Sequence, residues 1–447
     1  MTTLTTFDFT NLPLLGNTET TNPSNRNQTT PAQQIFLGGF SGLFFEGAAA
    51  NGNLRFITNT DRGPNGEPTN LINSIAGLER PFALPNFQPQ LVRFELNRTS
   101  RQVTITQRIG LTLPDGSPIS GLPNLQKGQQ GTAYTDEVPV DLFGNLLTNQ
   151  PLGADLEGIV VAPDGSFWLP DEYRPAIYRF DSTGKLIARF VPQGTTEPSN
   201  AATIFEASLS PVNPFGQEVL PAVYAQRRAN RGFEAIALEG NKLYAFIQSA
   251  IDNPDSAADT TSRNSRNLRI LEFDTLLGAV SGEYIYQLDS LSGLGNARTD
   301  KIGDAVSIGN GRFLVVERDD LETTASNKLI YNINLNGATN INNRDRLTGL
   351  PAGKTIEQLT DAELAAANIR PVSKSLVTNA ATLGYIGVGK LEGLAVINSS
   401  TLAILNDNDF GVLASPLTGN GIIPLSNPIT PIRLGLIEFD APNFVTR

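Results

Sequence analysis

Apolar and polar positions along this chain fall into one repeating figure: an apolar run, a tight polar turn, and a second apolar run. It occurs at FSGLFFEGAAANGNLRFITNTDRG (Phe40 to Gly63), LEGIVVAPDGSFWLPDEY (Leu156 to Tyr173), FEAIALEGNKLYAFIQSA (Phe233 to Ala250), IGDAVSIGNGRFLVVERDD (Ile302 to Asp320) and LEGLAVINSSTLAILNDNDFG (Leu391 to Gly411). Runs this short, rich in β-branched and aromatic residues and bounded by Gly, Asn and Asp, predict antiparallel hairpins. A second hairpin follows each of the first four: Leu91 to Leu111, Ala176 to Phe190, Leu268 to Leu288 and Lys328 to Ile341. The phrases YRFD, LEFD, YNIN and IEFD hold the same slot in successive modules.

Two consecutive hairpins make a four-stranded antiparallel sheet, and a series of such sheets is an all-β propeller. Five blades are legible, and a degenerate sixth is sought in Pro192 to Arg231. The last module ends after its third strand, IRLGLIEFDAP (Ile432 to Pro442). TTLTTFDF (Thr2 to Phe9) has the length and β propensity to supply the fourth, which would close the ring by pairing the two termini. The chain thus divides into residues 1–34, a closing strand and a polar linker that is loose from Thr18 to Gln34, and residues 35–447, a single propeller domain. Pro114 to Asp155 and Thr195 to Asn230 read as long loops. One insertion, LTDAELAAAN, is helical, with Thr360 as N-cap, Glu363 closing a capping box and Asn368 at the stop.

Composition narrows the chemistry. The 447 residues contain no His, no Cys and a single Met. Imidazole and thiolate sites for zinc, copper or iron–sulfur, Cys nucleophiles and a Ser-His-Asp triad are therefore excluded. The 33 basic against 44 acidic residues, a net charge of −11, argue against nucleic acid or an anionic membrane as partner. No apolar stretch approaches the ~20 residues of a membrane span. The N-terminus lacks a basic start and a continuous apolar core, so no secretory signal is visible. The Thr/Asn-rich composition still points outward, to an exported protein. GFSGL around Ser41 lacks the closing Gly of a nucleophile elbow, and NDNDFG (Asn406 to Gly411) has Phe410 where an EF-hand needs a ligand. Trp168 is assigned to the core.

What remains is oxygen chemistry. Glu157, Glu234, Asp304 and Glu392 open the first strand of four modules, and Asp61, Asp171, Glu172, Glu317, Asp319, Asp407 and Asp409 close the second. In a propeller the first strand of each blade is innermost and the second runs back antiparallel, so both sets return to one mouth of the central channel. Crowded carboxylates repel unless a cation neutralises them, and calcium accepts six to eight oxygens in flexible geometry. Basic residues stand at matching places: Arg62, Arg174 and Arg318 beside the closing acids, Arg231, Lys301 and Lys390 before the opening ones. Carboxylates holding a cation, arginines gripping phosphate oxygens and a metal-bound water as nucleophile would together make a phosphoester site.

The set GGFSGLFFE, TNTDRG, DLEGIVVAPDGSFWLPDEY, NRGFEAIAL, KIGDAVSIGNGRFLVVERD and KLEGLAVINSSTLAILNDNDFG, spanning Gly38 to Gly411, resembles the bacterial propeller-type, phytase-like family described by esterase-like activity of phytase. The resemblance implies a secreted or periplasmic hydrolase of small phosphate esters with calcium as cofactor. Carried to the matching positions, it puts Asp61, Arg62, Glu157, Asp171, Glu172, Glu234, Asp304, Glu317, Glu392, Asp407 and Asp409 at the site. The third repeat departs by ending in Gln248 where the others end in acids. The expectation is a calcium-dependent phosphoric ester hydrolase with Glu157, Asp171, Glu172, Arg62, Arg174 and Arg318 in catalysis. Asp61, Glu157, Glu234, Asp304, Glu317, Glu392, Asp407 and Asp409 would hold metal. The alternative is a secreted, calcium-stabilised propeller without catalysis, and a lactonase-like carboxylic ester hydrolase would use the same funnel.

Overall fold

The structure is a computed structural model that describes residues 2–71, 79–124, 137–195, 216–254, 264–289, 299, 301–342, 350–351 and 353–442. Five sheets carry the ring. From the innermost strand outward, blade one is Phe40–Ala48, Leu54–Thr60, Gln90–Asn97 and Gln102–Gly110, and blade two is Val160–Val161, Phe167–Asp171, Ala176–Phe180 and Leu186–Pro192. Blade three is Phe233–Glu239, Lys242–Ile247, Asn267–Asp274 and Ala279–Gln287. Blade four is Lys301–Gly309, Arg312–Arg318, Lys328–Asn334 and Ser373–Asn379. In blade five, Leu391–Asn398, Thr401–Asn406 and Arg433–Glu438 are completed by the N-terminal strand Thr3–Asp8. That strand pairs antiparallel with Arg433–Glu438 over its whole length, Thr3 opposite Glu438 and Asp8 opposite Arg433, as the termini of the sequence foretold.

Three readings of the sequence are corrected. There is no sixth blade among the described residues: Gln217–Leu220 instead adds a parallel fifth strand to blade two, and residues 196–215 lie outside the described residues. The outer strand of blade four does not follow the Asn336–Gly337 turn. It comes from Ser373–Asn379, after the helical insertion, because only there does an extended segment register against Lys328–Asn334. The polar N-terminal linker is ordered by pairing, with Leu14–Asn17 against Gln34–Phe36 and Thr21–Asn22 against Asn25–Thr29. The short helix Asp361–Ala366 forms as read, with Thr360 and Glu363 exchanging capping hydrogen bonds.

Apolar faces fill the wedges between blades. Trp168 stacks on Phe190 between blades two and three, and Phe7, Phe9, Phe40, Phe56 and Phe94 pack where blade five meets blade one. At the axis the innermost strands meet backbone to backbone. A Cβ on Gly42 of blade one would lie 2.5 Å from Cα of Gly158 in blade two, and both glycines have positive φ, 75° and 57°. Only Gly meets both demands. The Ser-Gly and Glu-Gly pairs at the start of these strands thus let the ring close tightly enough to gather its neighbouring acids.

Candidate functional site

The entrance acids owe their aim to irregular backbone. In blades three, four and five the ladder slips between Phe233 and Ala235, between Ile302 and Ala305, and between Leu391 and Gly393. Each slip is a β-bulge at the acid (Glu234, Asp304, Glu392), and a bulge turns one side chain out of the alternation of the strand. In blade two the ladder is interrupted at the same place: Leu156 bridges Asp171 alone, and regular pairing resumes only at Val160.

That single bridge builds the centre of the site. With Leu156 opposite Asp171, Asp155 stands opposite Glu172, and the pair is fixed by Glu172 N–H donating to Asp155 C=O at 2.8 Å and Glu157 N–H to Pro170 C=O at 3.0 Å. Alternation puts Asp155 and Glu157 on one face while Leu156 enters the core. One carboxylate oxygen from each of Asp155, Glu157 and Glu172 lies within 4.8 Å of the other two, and all three residues are buried. Oxygens on opposite sides of a calcium ion are roughly 4.6–5.2 Å apart, given Ca–O distances of about 2.3–2.6 Å. Glu172 Oε1 is buried without a hydrogen-bond partner. These observations fit a hard cation. Burial pushes Glu157 and Glu172 well above the usual carboxylate range, and the charges of Glu234 and Asp155 push them further.

Cations hold the rest of the mouth. The Arg62 backbone N–H and guanidinium both bond Asp155, at 3.1 and 3.2 Å, and the guanidinium also donates to Glu137 at 2.9 Å and to Asn230. It lies 5.5 Å from the Tyr173 ring centre. Arg318 bridges Glu234 at 3.4 Å, Glu392 and Asp320. Lys390 pairs with Asp407 at 3.1 Å and with Asp409, on a turn whose Asp409 and Phe410 both have positive φ. Lys301 pairs with Asp320 at 2.7 Å, and Arg231 bonds Gln248, whose amide donates to Glu234 at 2.6 Å. Burial, then Asp407 and Asp155, raise Asp61 well above its ordinary value, and burial lifts Glu392 to about 7 against the pull of Arg318 and Lys390. Arg174 is buried.

Other predicted acids lie at backbone or neighbouring side chains. Asp171 accepts from the N–H of Asp155 at 3.0 Å, of Tyr173 at 3.1 Å and from Asn124 Nδ2 at 2.9 Å, so it braces the hairpin beneath the cluster. Asp304 accepts from the N–H groups of Ala305 and Leu394, both at 2.7 Å, and of Leu43, joining blades four, five and one. Glu317 is taken up by Tyr286, Thr299, Lys374 and the Asp289 N–H, and Asp319 caps the turn at Leu321 and Asn327. Asp155, Glu137 and Asn124 went unread. For Asp155 the signal was present, since Asp-Leu-Glu alternates two acids about one core residue.

Asp304→Ala would strand three buried N–H groups. At about 1–3 kcal/mol for each unsatisfied donor, offset by relief of a buried charge, a net loss on the order of 3 kcal/mol is expected. Thermal unfolding measures it, and an unchanged midpoint would remove Asp304 from the closure of the ring.

An uncharacterized secreted protein of Arthroderma benhamiae is 29% identical over 183 residues, covering 39% of this chain and 35% of that protein, so the match spans about a third of the relative. Among solved structures, a luciferin-regenerating enzyme aligns at 8% identity over 94% of this chain and 86% of its own, TM-score 0.32. The PQQ-bound aldose sugar dehydrogenase of Streptomyces coelicolor aligns at 10% identity over 90% of this chain and 96% of its own, TM-score 0.30. The phytase-like family model, described as esterase-like activity of phytase, matches residues 35–410, from the approach to blade one through the Asp407–Asp409 turn, and the chain belongs to that family.

Proposed function

We propose that the protein is a calcium-dependent hydrolase of small phosphoric esters, with its cation held by Asp155, Glu157 and Glu172. The observation that carries this reading is the convergence of three buried carboxylates, one with an orphaned oxygen, in a family described by esterase-like activity. When bound, the ion supplies positive charge to phosphoryl oxygen and acidifies water. The chain itself supplies fixed charge around that position. Arg62 shares Asp155 with the cluster, so a phosphoryl group beside the carboxylates meets its guanidinium from the blade-one side. Arg318 places a second charge from blade four, and Arg174, two residues after Glu172, a third. Each is permanently protonated, and the guanidiniums of Arg62 and Arg174 suit phosphate oxygens, while that of Arg318 acts through its charge. Around this centre, Glu234 and Glu392 are paired with Arg318 and Asp407 and Asp409 with Lys390, so they shape the charge of the mouth, as Asp61 does, rather than hold this ion. The relative named as secreted supports an extracellular or periplasmic location. No described helix is long and apolar enough to cross a membrane.

A second reading, a calcium-stabilised propeller without turnover, is favoured by Asp171 and Asp304, whose oxygens go to backbone amides rather than to the mouth. Assays on p-nitrophenyl phosphate, bis(p-nitrophenyl) phosphate and phytate, with calcium and then chelator, separate the two. The expected result is turnover abolished by chelation and reduced about 100-fold or more in Glu157→Gln, the scale of losing one electrostatic group from a reacting centre. Absence of turnover with a calcium-raised melting temperature would favour the second reading. Turnover indifferent to chelator would exclude the metal.

A further inference from the structure

Two of the carboxylate groups at the mouth are held differently. Asp155, Glu157 and Glu172 converge on one another, with the Arg62 guanidinium bonded to Asp155 and the charges of Arg62 and Arg231 acting on Glu172. Glu234 of blade three and Glu392 of blade five converge with Asp320 on one guanidinium. Arg318 Nη2 donates to both Glu234 and Glu392, Nη1 donates to Asp320, and the side chain is 2% exposed. Three carboxylates around one buried positive charge is the arrangement a divalent ion would otherwise impose.

The backbone is built to admit this side chain. Gly303, beside the bulged Asp304, leaves the space in which a Cβ would stand 3.2 Å from Arg318 Cδ and 2.1 Å from the Leu391 carbonyl oxygen. Arg318 ends the second strand of blade four, so its head reaches the acids of the two flanking blades. A guanidinium keeps its proton at any pH the fold survives and presents donors in a fixed fork. It stands as a permanent positive charge among the acids, in the place a metal would take.

Resting on the calcium reading above, we infer that Arg318 is a built-in cation occupying a second metal position, so that the mouth takes up one divalent ion, at Asp155, Glu157 and Glu172. The consequence for chemistry is a single metal working beside a fixed arginine rather than a two-metal clamp. It also gives Arg318 a positioning role toward Glu234 and Glu392, distinct from contact with substrate.

Calcium titration calorimetry on the full chain, in phosphate-free buffer after chelator treatment, tests this without reference to turnover. Wild type and Arg318→Lys are expected to bind the same number of ions. Glu172→Gln should lose one ion or weaken it at least tenfold. Arg318→Ala should gain one ion relative to wild type, and the double variant Arg318→Ala, Glu392→Gln should lose that gain. Ions held elsewhere cancel in these differences. Circular dichroism in calcium confirms that each variant is folded, and a variant that fails is replaced by Arg318→Gln. An unchanged count in a folded Arg318→Ala or Arg318→Gln overturns the inference, as does a wild type that loses two ions when the acids are neutralised singly at Glu172 and Glu392. Wild type binding none would instead overturn the calcium reading, while a gain of one ion on removing Arg318 would still support its role as a built-in cation.

Discussion

Removal of residues 2–9 is expected to abolish cooperative folding. The strand Thr3–Asp8 is the outer strand of blade five, and every residue of it has a partner in Arg433–Glu438. Its loss strips six residues of ladder and takes Phe7 and Phe9 from the core. Phe9 packs edge-on against Phe40 and Phe94 at 5.7 and 4.9 Å, so the damage reaches the first blade as well as the last. Asp8 also holds Arg433 through both carboxylate oxygens, at 2.6 and 2.9 Å. Each buried Phe deleted costs about 3–5 kcal/mol, against a total stability of about 5–15 kcal/mol for a folded domain. The sum of two phenylalanines and a ladder consumes that margin. Circular dichroism and urea unfolding should show no sigmoidal transition, and a synthetic peptide of residues 2–12 added in trans should restore one. A truncated chain that unfolds cooperatively at the wild-type midpoint would show that the terminal pairing does not close the ring.

The second large effect is a pH dependence of the metal-free protein, opposite to ordinary acid denaturation. Burial raises Asp61, Glu157, Glu172, Glu234, Asp304 and Asp407, and lifts Asp171 and Glu392 to about 7. A carboxyl whose folded pKa is raised binds more protons folded than unfolded. Its stabilising contribution is complete below the unfolded value near 4 and is lost as pH climbs through the folded one. The window is therefore about pH 4 to 7. Within it, each carboxyl that titrates independently gives up roughly 1.4 kcal/mol for every tenfold fall in proton concentration. Glu137, Asp320 and Asp409, lowered by Arg80, Arg318 and Lys390 respectively, act in the opposite sense and limit stability at the acid end. In chelator the melting temperature should peak near pH 5 and fall by pH 7.5. Calcium should restore it at pH 7.5, since a ligand at a hundred times its Kd adds about 2.7 kcal/mol, and should do little at pH 5. A melting temperature that rises steadily to pH 7.5 in chelator would mean the mouth acids are already neutralised from within.

How much of this was readable follows from the range of the interactions. Strand periodicity and turn chemistry are local, so the hairpins, the capped helix at Thr360 and the closing strand could be read from neighbouring residues alone. The outer strand of blade four could not, because Ser373–Asn379 follows an insertion and only pairing against Lys328–Asn334 identifies it. The sixth blade failed for the same reason: Gln217–Leu220 is a strand, but its partner is Leu186–Pro192. At the site, the recurrence of acids pointed to the mouth. It could not tell Asp171, drawn to the amides of Asp155 and Tyr173, from Glu172 beside it, which keeps an oxygen unpaired.

The amino-acid sequence by itself determined an all-β ring of repeated hairpins, its closure by the two termini, and chemistry restricted to oxygen and basic groups by the absence of His and Cys. Tertiary structure alone decided which acids stand together. Bulges at Glu234, Asp304 and Glu392 and the lone Leu156–Asp171 bridge re-aim side chains by amounts that alternation does not encode. Charge pairing across blades then divides the acids into those claimed by Arg318 and Lys390 and the cluster of Asp155, Glu157 and Glu172. The physical reason is that a carboxylate's role depends on what lies within a few ångströms of it, and here those neighbours come from blades far apart in the chain.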